Sequence, residues 1–250
     1  INLEGWDVSG QERLKAARVL IIGVGGLGCA ASQYLAAAGV GQLTLLDGDK
    51  VETSNLARQI LHEPAAVGQF KVDSAAHRLQ ALNADCLVIP LPWFADELNL
   101  PDLLVDADLV LDCSDNRATR DLVNLCCRAA QVPLISGAAI RFEGQVMLFD
   151  WQPGTPCYRC FSRLFDEPEG SCVTNGVAGP LVGVVGSLQA LEAVKWLTGS
   201  AMQHGGELLL VDGRSLTFDK MALRRDPCCP VCARSDEKRS GEEATSQLIC

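Results

Sequence analysis

The fold of this 250-residue chain is decided by the stretch Arg18-Val19-Leu20-Ile21-Ile22-Gly23-Val24-Gly25-Gly26-Leu27-Gly28. The apolar run 18–22 predicts a buried parallel strand. Residues 23–28 fit G-x-G-x-x-G, and the composition of residues 26–38 predicts a helix that ends at Gly39. A strand, a glycine loop and a helix in this order predict a βαβ unit that binds phosphate at the helix N-terminus.

The alternation of strands and helices continues to about residue 150 and then changes character. Further strands are predicted at 43–46, 86–91, 109–113 and 133–136, and helices at 71–81 and 119–130. Residues 144–151 alternate like an antiparallel strand, and a helix at 179–197 and strands at 207–211 and 216–223 follow. The fold class is therefore α/β: a Rossmann-like mixed sheet with a parallel N-terminal half and an antiparallel C-terminal half. Residues 165–175 are predicted to be a mobile loop and residues 236–250 a disordered tail.

Composition narrows the class of protein. Acidic residues outnumber basic ones by 31 to 21, which argues against a nucleic-acid-binding surface. The longest apolar stretch, 179–199, is interrupted by Gln189, Glu192 and Lys195 on one helix face, as in a core helix rather than a membrane span. Twelve cysteines spread through apolar segments fit a reducing compartment. We expect a cytoplasmic protein with no nucleic-acid partner and no membrane contact.

The glycine loop and the end of the second strand predict a nucleotide site. Gly23, Gly25, Gly26 and Gly28 would let the backbone approach phosphate, and Asp47 would bind ribose hydroxyls. The motif alone does not distinguish NAD or FAD from ATP. Glycines needed only for tight packing are the alternative interpretation.

Polar residues beyond the strand ends add candidate ligand contacts. Asn55, Arg58, Gln59 and Lys71 follow Asp47, on the ligand side of an open α/β sheet. An arginine and a lysine there would neutralise a triphosphate, whereas ordinary surface charge is the alternative.

A second polar segment, Asp112-Cys113-Ser114-Asp115-Asn116, follows a buried strand. Its carboxylates suggest a magnesium ligand, for which Asp115 is favoured because it lies past the strand. Asp112 is as well suited to hydrogen-bonding backbone, and turn formation and helix capping are the alternatives for the pair.

Two C-x-x-C pairs, Cys157-Tyr158-Arg159-Cys160 and Cys229-Pro230-Val231-Cys232, have zinc-ligand spacing. Each alone fits a redox pair, but together they predict a structural four-cysteine zinc site. Cys172, in the predicted mobile loop, is a candidate nucleophilic thiol or an unreactive one.

Six motifs in this order resemble the E1-like adenylyltransferases that activate ubiquitin-like sulfur carriers (the MoeB/ThiF/HesA group). The resemblance covers residues 8–233. Within the group, the sequence is most similar to the molybdopterin-synthase branch. The motifs are Gly23-Val24-Gly25-Gly26-Leu27-Gly28, Ser54-Asn55-Leu56-Ala57-Arg58-Gln59, Gly68-Gln69-Phe70-Lys71, Asp112-Cys113-Ser114-Asp115-Asn116 and the two cysteine pairs.

The resemblance implies ATP as substrate and roles for individual residues. It implies that Asp47 binds the ribose and that Asp115 is the Mg²⁺ ligand. Arg58, Lys71 and Asp115 would be catalytic, and residues 165–177 would form a crossover loop under the carrier's tail. The implied contacts to nucleotide or Mg²⁺ are Gly23, Gly25, Gly26, Gly28, Asp47, Asn55, Arg58, Gln59, Lys71, Asp115 and Asn116, and the implied Zn²⁺ ligands are Cys157, Cys160, Cys229 and Cys232.

The implied activity is ATP-dependent adenylation of the C-terminal glycine of a small ubiquitin-like sulfur carrier of the MoaD type, in molybdenum cofactor biosynthesis, by a homodimer. Residues 1–235 would form one adenylation domain, with a nucleotide-binding half (1–150) and a zinc-binding, carrier-docking half (151–235). The alternatives are adenylation of the thiamin carrier ThiS and a non-catalytic carrier-binding scaffold.

The family pattern also includes an Arg-aromatic-x-Arg-Gln segment before the position of Ile1. Its second arginine reaches the ATP site of the partner subunit. Because the printed chain begins at Ile1, we expect it to be a fragment, a processed product or part of a longer protein, or else impaired in activity.

Overall fold

A computed structural model describes residues 6–164, 176–200 and 205–233 of the chain. The strands are β1 Arg18–Ile22, β2 Gln42–Leu46, β3 Leu87–Leu91, β4 Leu109–Asp112, β5 Leu134–Ile140, β6 Glu143–Phe149, β7 Glu207–Asp212 and β8 Thr217–Ala222. The α-helices are α1 Val8–Ala16, α2 Gly26–Ala38, α3 Lys71–Leu82, α4 Asn99–Leu104, α5 Arg117–Ala130, α6 Tyr158–Ser162 and α7 Gly179–Thr198. Short 3₁₀ turns lie at Thr53–Asn55 and Pro64–Ala66.

One mixed sheet runs through both halves of the chain, in the order β3-β2-β1-β4-β5-β6-β7-β8. Strands β3, β2, β1, β4 and β5 pair in parallel, whereas β6, β7 and β8 continue the sheet in antiparallel pairs. The predicted fold class is confirmed. Helices α1, α4 and α6 were not among the predicted elements.

Both faces of the sheet are buried, because alternate residues of the central strand enter different cores. Val19 and Ile21 pack in the cluster that includes buried residues of α1, α2, α3 and α7. Leu20 and Ile22 pack in the other cluster, with buried residues of α4, α5 and α6. Double burial explains why β1 is a continuous apolar run rather than an alternating one.

The order in which strands are added to the sheet reverses between β1 and β4. Strands β2 and β3 extend the sheet on one side of β1, and β4 and β5 extend it on the other. The carboxyl ends of β1 and β4 therefore border a crevice, the usual ligand position in open α/β sheets.

Helix α7 is a core helix, as predicted for its apolar stretch. Gln189 is fully buried and donates from Nε2 to the carbonyls of Asp112 (2.9 Å) and Ile135 (3.2 Å). The Lys195 ammonium pairs with Glu192 at 2.6 Å. Among the described helices, none has the length and apolar character needed to cross a membrane.

Two predicted segments lie outside the described residues: the loop at 165–175, which contains Cys172, and the tail at 236–250. The division into halves at residue 150 stays a prediction.

Candidate nucleotide site and cysteine cluster

The glycine loop packs against the end of β4. Gly23 has φ +90°, and a Cβ there would lie 2.8 Å from the carbonyl oxygen of Cys113. A Cβ on Gly28 would lie 2.0 Å from the carbonyl oxygen of Gly23. These two glycines are therefore required by the fold itself, as the packing interpretation of the motif held.

The middle of the loop is different. A Cβ on Gly25 would meet no atom closer than Gln59 Nε2, at 3.6 Å. Gly25 is also the N-cap of α2 and has no side chain to cap it, so the first amides of the helix are left for another acceptor. These amides carry the positive end of the helix dipole. Gly26 lies against Val182 of α7, where a Cβ would lie 2.7 Å from a methyl carbon. Open space at Gly25 beside a helix N-terminus suits a phosphate group.

Asp47 is buried at the end of β2. Its carboxylate accepts hydrogen bonds from the backbone N–H of Val24 (2.7 Å) and of Asp49 (2.8 Å). Burial raises the pKa of the Asp47 carboxyl, and the nearby Lys71 ammonium opposes that rise. The residue thus fixes the glycine loop to β2, and a carboxylate retains acceptor capacity beyond these two bonds.

Lys71 is the first residue of α3, and its side chain is only 8% exposed. Its ammonium lies 2.7 Å from a carboxylate oxygen of Asp49, whose side chain is 55% exposed. A buried ammonium paired with an exposed carboxylate leaves a cation that an incoming phosphate can share.

Arg58 and Gln59 converge on Asn55. Arg58 donates from Nη2 to Asn55 Oδ1 (3.2 Å) and from Nη1 to the carbonyl of Ser54 (3.2 Å). Gln59 Nε2 donates to the same Asn55 oxygen at 3.2 Å. Asn55 therefore holds both donor groups at the rim of the crevice.

The two aspartates after β4 have different surroundings. Asp112 is 1% exposed and accepts from the Ser114 hydroxyl (2.6 Å), the Ser114 N–H (3.0 Å) and the Ser136 hydroxyl (3.1 Å). Asp115 is exposed, and its carboxylate has no hydrogen-bond partner in the described part of the chain. Asn116 caps α5 by accepting from the Thr119 N–H at 2.9 Å. Asp115 is thus the carboxylate that remains available to a cation.

These residues surround one cleft, which we call the nucleotide cleft. Its lining includes Gly23, Gly25, Gly26, Asp47, Arg58, Gln59, Lys71, Asp115 and Asn116 from the predicted set. Two members of that set, Gly28 and Asn55, support the cleft from behind through Gly23 and Arg58.

Trp93, Phe94 and Arg120 are among the residues of the lining that escaped the sequence interpretation. Trp93 and Phe94 are 50% and 67% exposed, and the Phe94 ring lies against Gly48. Arg120 of α5 is 9% exposed and donates to the carbonyl of Ser114 at 2.6 Å. The Trp-Phe pair directly after a predicted strand was the available signal for the first two, whereas Arg120 resembles any helix arginine in the sequence.

The four predicted zinc ligands come together in a second site, the cysteine cluster (Cys157, Cys160, Cys229 and Cys232). All four are buried, and their sulfurs lie within 4.8 Å of one another. The Cys157–Cys229 and Cys160–Cys232 sulfur distances are 3.7 and 3.4 Å. A tetrahedral zinc with bonds of about 2.3 Å would hold its sulfurs about 3.8 Å apart, so the cluster fits a metal ion. The backbone N–H of Asp226 donates to Cys160 Sγ at 3.4 Å, as outer contacts to metal-bound thiolates do.

The ThiF family profile matches residues 1–231. The chain belongs to the ThiF family. Within that family, it is 53% identical over 234 residues to the molybdopterin-synthase adenylyltransferase of Escherichia coli (strain K12), covering 94% of each chain. It is 46% identical over 238 residues to the sulfur carrier protein ThiS adenylyltransferase of the same strain, again covering 94% of each. The ThiF-family chain is thus an adenylyltransferase of the E1-like kind.

A solved structure supports the ThiF-family fold. The Microcin C7 biosynthetic enzyme MccB in complex with N-formylated MccA superposes with a TM-score of 0.77 at 25% identity, over 90% of this chain and 70% of the MccB chain. Cys172, the candidate thiol, lies outside the described residues, so its reactivity stays a prediction.

Proposed function

We propose that this protein uses ATP to adenylate the C-terminal glycine of a small ubiquitin-like sulfur carrier for molybdopterin synthesis, and releases pyrophosphate. The observation that carries the proposal is the meeting of Arg58, Lys71 and Asp115 in one cleft with the glycine loop. The molybdopterin-synthase adenylyltransferase relative, at 53% identity, supports the carrier class.

The cleft favours a triphosphate over a dinucleotide. Arg58 and Lys71 supply two cations beside the N-terminus of α2, where phosphate is favoured. Asp115 offers an exposed carboxylate across the cleft, and oxygen ligands of this kind suit Mg²⁺. A nicotinamide dinucleotide would leave the Arg58–Lys71 pair without a use.

The reaction needs charge neutralisation rather than proton transfer. An oxygen of the carrier's terminal carboxylate bonds to the α-phosphorus of ATP, and the bond from that phosphorus to the bridging oxygen breaks. Pyrophosphate leaves with the bonding electrons, and the carrier keeps an acyl-adenylate. The attacking carboxylate is ionised at neutral pH, so no general base is required.

The chain's own residues then act by position and charge. Arg58 and Lys71 neutralise phosphate oxygens, and the amides of α2 hold the phosphates in place. Asp115 would hold Mg²⁺, which would supply further neutralisation of the triphosphate. Asp47 holds the ribose while it fixes the glycine loop.

We assign Zn²⁺ to the cysteine cluster, in a structural role. Four buried sulfurs leave no open coordination position, as in structural rather than catalytic zinc sites. A homodimer in the cytoplasm is part of the same proposal, on the strength of the family resemblance.

A second candidate substrate is the thiamin carrier ThiS. It is favoured by the ThiS adenylyltransferase relative, which covers the same share of the chain at 46% identity. The chemistry is the same, so only the partner differs.

The deciding experiment is carrier-dependent ATP–pyrophosphate exchange with a MoaD-type carrier, with ThiS and with no carrier. It is run on the chain as printed and with an Arg-aromatic-x-Arg-Gln segment placed before Ile1. Asp115→Asn should lower exchange by about a hundredfold or more, because a transition-state charge contact is worth roughly 3 kcal/mol. Its bound zinc should be unchanged.

The matched control is Asp102→Asn, an exposed aspartate on α4 outside the cleft, which should keep wild-type exchange. Wild-type exchange in Asp115→Asn would remove Asp115 from the mechanism. Mg-ATP binding without exchange in any arm would favour the non-catalytic scaffold.

A further inference from the structure

The peptide group that joins Val24 to Gly25 is held at its carbonyl by a buried histidine. His62 is 6% exposed, and its Nε2 lies 3.1 Å from the carbonyl oxygen of Val24. A carbonyl oxygen can only accept a hydrogen bond, so Nε2 carries a proton and is the donor. Asp47 accepts from the Val24 N–H at 2.7 Å, so both polar backbone groups of Val24 are paired.

The other ring nitrogen of His62 connects the ring to α3. Nδ1 lies 3.0 Å from the hydroxyl oxygen of Ser74, which is also buried. Burial lowers the pKa of His62, so the ring is neutral at pH 7 and Nδ1 accepts from the Ser74 hydroxyl. Lys71 is the first residue of the same helix. One imidazole therefore joins the glycine loop to the helix that carries Lys71.

The direction of the Val24 carbonyl decides where the next N–H points. In a planar trans peptide, the C=O of one residue and the N–H of the following residue point in opposite directions. The Val24 carbonyl points at the buried His62 ring, so the Gly25 N–H points away from that ring. Within the described residues this N–H has no hydrogen-bond partner, and Gly25 lines the nucleotide cleft, whereas Val24 is fully buried. The Gly25 N–H is thereby available to a ligand in the cleft.

This orientation of the peptide depends on its hydrogen bonds. Gly25 has no side chain that would oppose a rotation of the peptide. Cys29 also lies near the Val24 carbonyl, with its Sγ at 3.5 Å, but a thiol is a weak donor. The imidazole of His62 is the stronger donor and therefore supplies the main restraint.

We propose that His62 is a positioning residue that keeps the Val24–Gly25 peptide turned so that the Gly25 N–H faces a phosphate group in the nucleotide cleft. The bond to Ser74 holds the imidazole in the matching tautomer and keeps the loop at a fixed distance from the helix of Lys71. The inference deepens the proposed function and rests on it only in taking ATP as the ligand, because nucleotide binding is measured without a carrier.

Two amide substitutions separate the two bonds of the ring. His62→Asn keeps an acceptor near the position of Nδ1, but its side chain is too short to reach the Val24 carbonyl. His62→Gln can place an amide N–H near the position of Nε2 and restore that bond. His62→Asn should weaken the binding of Mg-ATP by about tenfold, because the phosphate loses an oriented donor, and His62→Gln should stay within about twofold of the wild type. His77→Asn, at an exposed position on α3, is the matched control and should bind Mg-ATP like the wild type.

Adenosine separates a positioning role from a packing defect. Because adenosine has no phosphate, all of these proteins should bind it with the same affinity in equilibrium titrations. Ser74→Ala removes the hydroxyl that orients the ring and leaves His62 in place. It should weaken Mg-ATP binding by about threefold without changing adenosine binding, and it keeps the proposal testable if His62→Asn does not fold.

Wild-type affinity for Mg-ATP in His62→Asn or in Ser74→Ala would overturn the proposal. A loss of adenosine affinity equal to the loss for Mg-ATP would overturn it as well, and so would a His62→Gln protein that binds Mg-ATP as weakly as His62→Asn. A wild type that binds Mg-ATP but shows no carrier-dependent exchange would instead refute the proposed function and leave the role of His62 intact.

Discussion

The cysteine cluster and the nucleotide cleft differ in how far their polar groups are already paired within the protein. In the cluster, four buried sulfurs face one another, and the site is closed. In the cleft, two charged groups stay available to a ligand: Lys71 pairs with an exposed carboxylate, and Asp115 has no hydrogen-bond partner in the described ranges. A closed site stabilises the fold, whereas an open site leaves charged groups available to bind a substrate.

The difference also separates residues that look alike in the sequence. Asp112 and Asp115 are three positions apart, yet one is buried under three hydrogen bonds and the other is exposed in the cleft. Gly25 and Gly28 belong to one motif, yet only Gly28 is crowded by backbone. Proximity in sequence therefore does not decide whether a residue serves the fold or the ligand. Variants can test that division.

The largest effect is expected in the cluster. Cys157→Ser removes one of four ligands that lie in the core, and zinc binding by four-cysteine sites contributes about 10 kcal/mol or more to folding. We expect a zinc-free protein that is largely unfolded or aggregated, as measured by metal content and thermal unfolding. Cys86→Ser, a buried cysteine outside the cluster, is the control and should keep bound zinc. A folded, zinc-loaded Cys157→Ser protein would show that the cluster is not a four-ligand site.

The next largest effect is expected in the glycine motif, where Gly28 and Gly25 should respond differently to substitution by alanine. Gly28→Ala places a Cβ 2.0 Å from the carbonyl oxygen of Gly23, and neither backbone can move without the other, so we expect a loss of about 3 kcal/mol or more of unfolding free energy. Gly25→Ala meets no atom closer than 3.6 Å, so the melting temperature should fall only slightly, because alanine is a poorer N-cap than glycine. Its KM for ATP should rise by about tenfold, because the methyl group occupies the position of a phosphate contact. Equal melting temperatures for the two variants would contradict this division.

Local signals explain why much of the fold was predictable. Helix α2 begins and ends at the predicted residues because Gly39, at φ +88°, forms the left-handed cap that glycine favours. The buried strands are short apolar runs bounded by polar or glycine residues. Helix α1 was missed although Asp7 caps it through the N–H of Gly10, because its apolar face is narrow and its charges are mixed.

The cleft was predictable wherever its residues follow strand ends or the glycine motif. Arg120 was not, because a helix arginine lies in solvent by default, and only the fold of α5, in which Arg120 donates to the Ser114 carbonyl, brings it into the cleft. Trp93 and Phe94 precede a turn in which Asp96 accepts from the N–H groups of Leu98 and Asn99. Asn99 Nδ2 donates from this turn to the Phe94 carbonyl at 2.8 Å. Such tertiary placement has no periodic signature in the sequence.

The smallest effect is expected at Asp49, the ion-pair partner of Lys71. Asp49 competes with phosphate for the Lys71 ammonium, but its side chain is 55% exposed, so the pair is screened by water. Exposed ion pairs are worth up to about 1 kcal/mol, so Asp49→Asn should lower the KM for ATP by at most about fivefold. The asparagine keeps an acceptor for the ammonium, and kcat should change little. The decrease should shrink as salt is raised, because screening weakens the original competition. Lys71→Ala is the companion variant and should change KM in the opposite direction. A higher KM for Asp49→Asn would mean instead that Asp49 orients Lys71 toward the phosphates. The carboxylate would then be a positioning partner of Lys71 rather than a competitor of the phosphates.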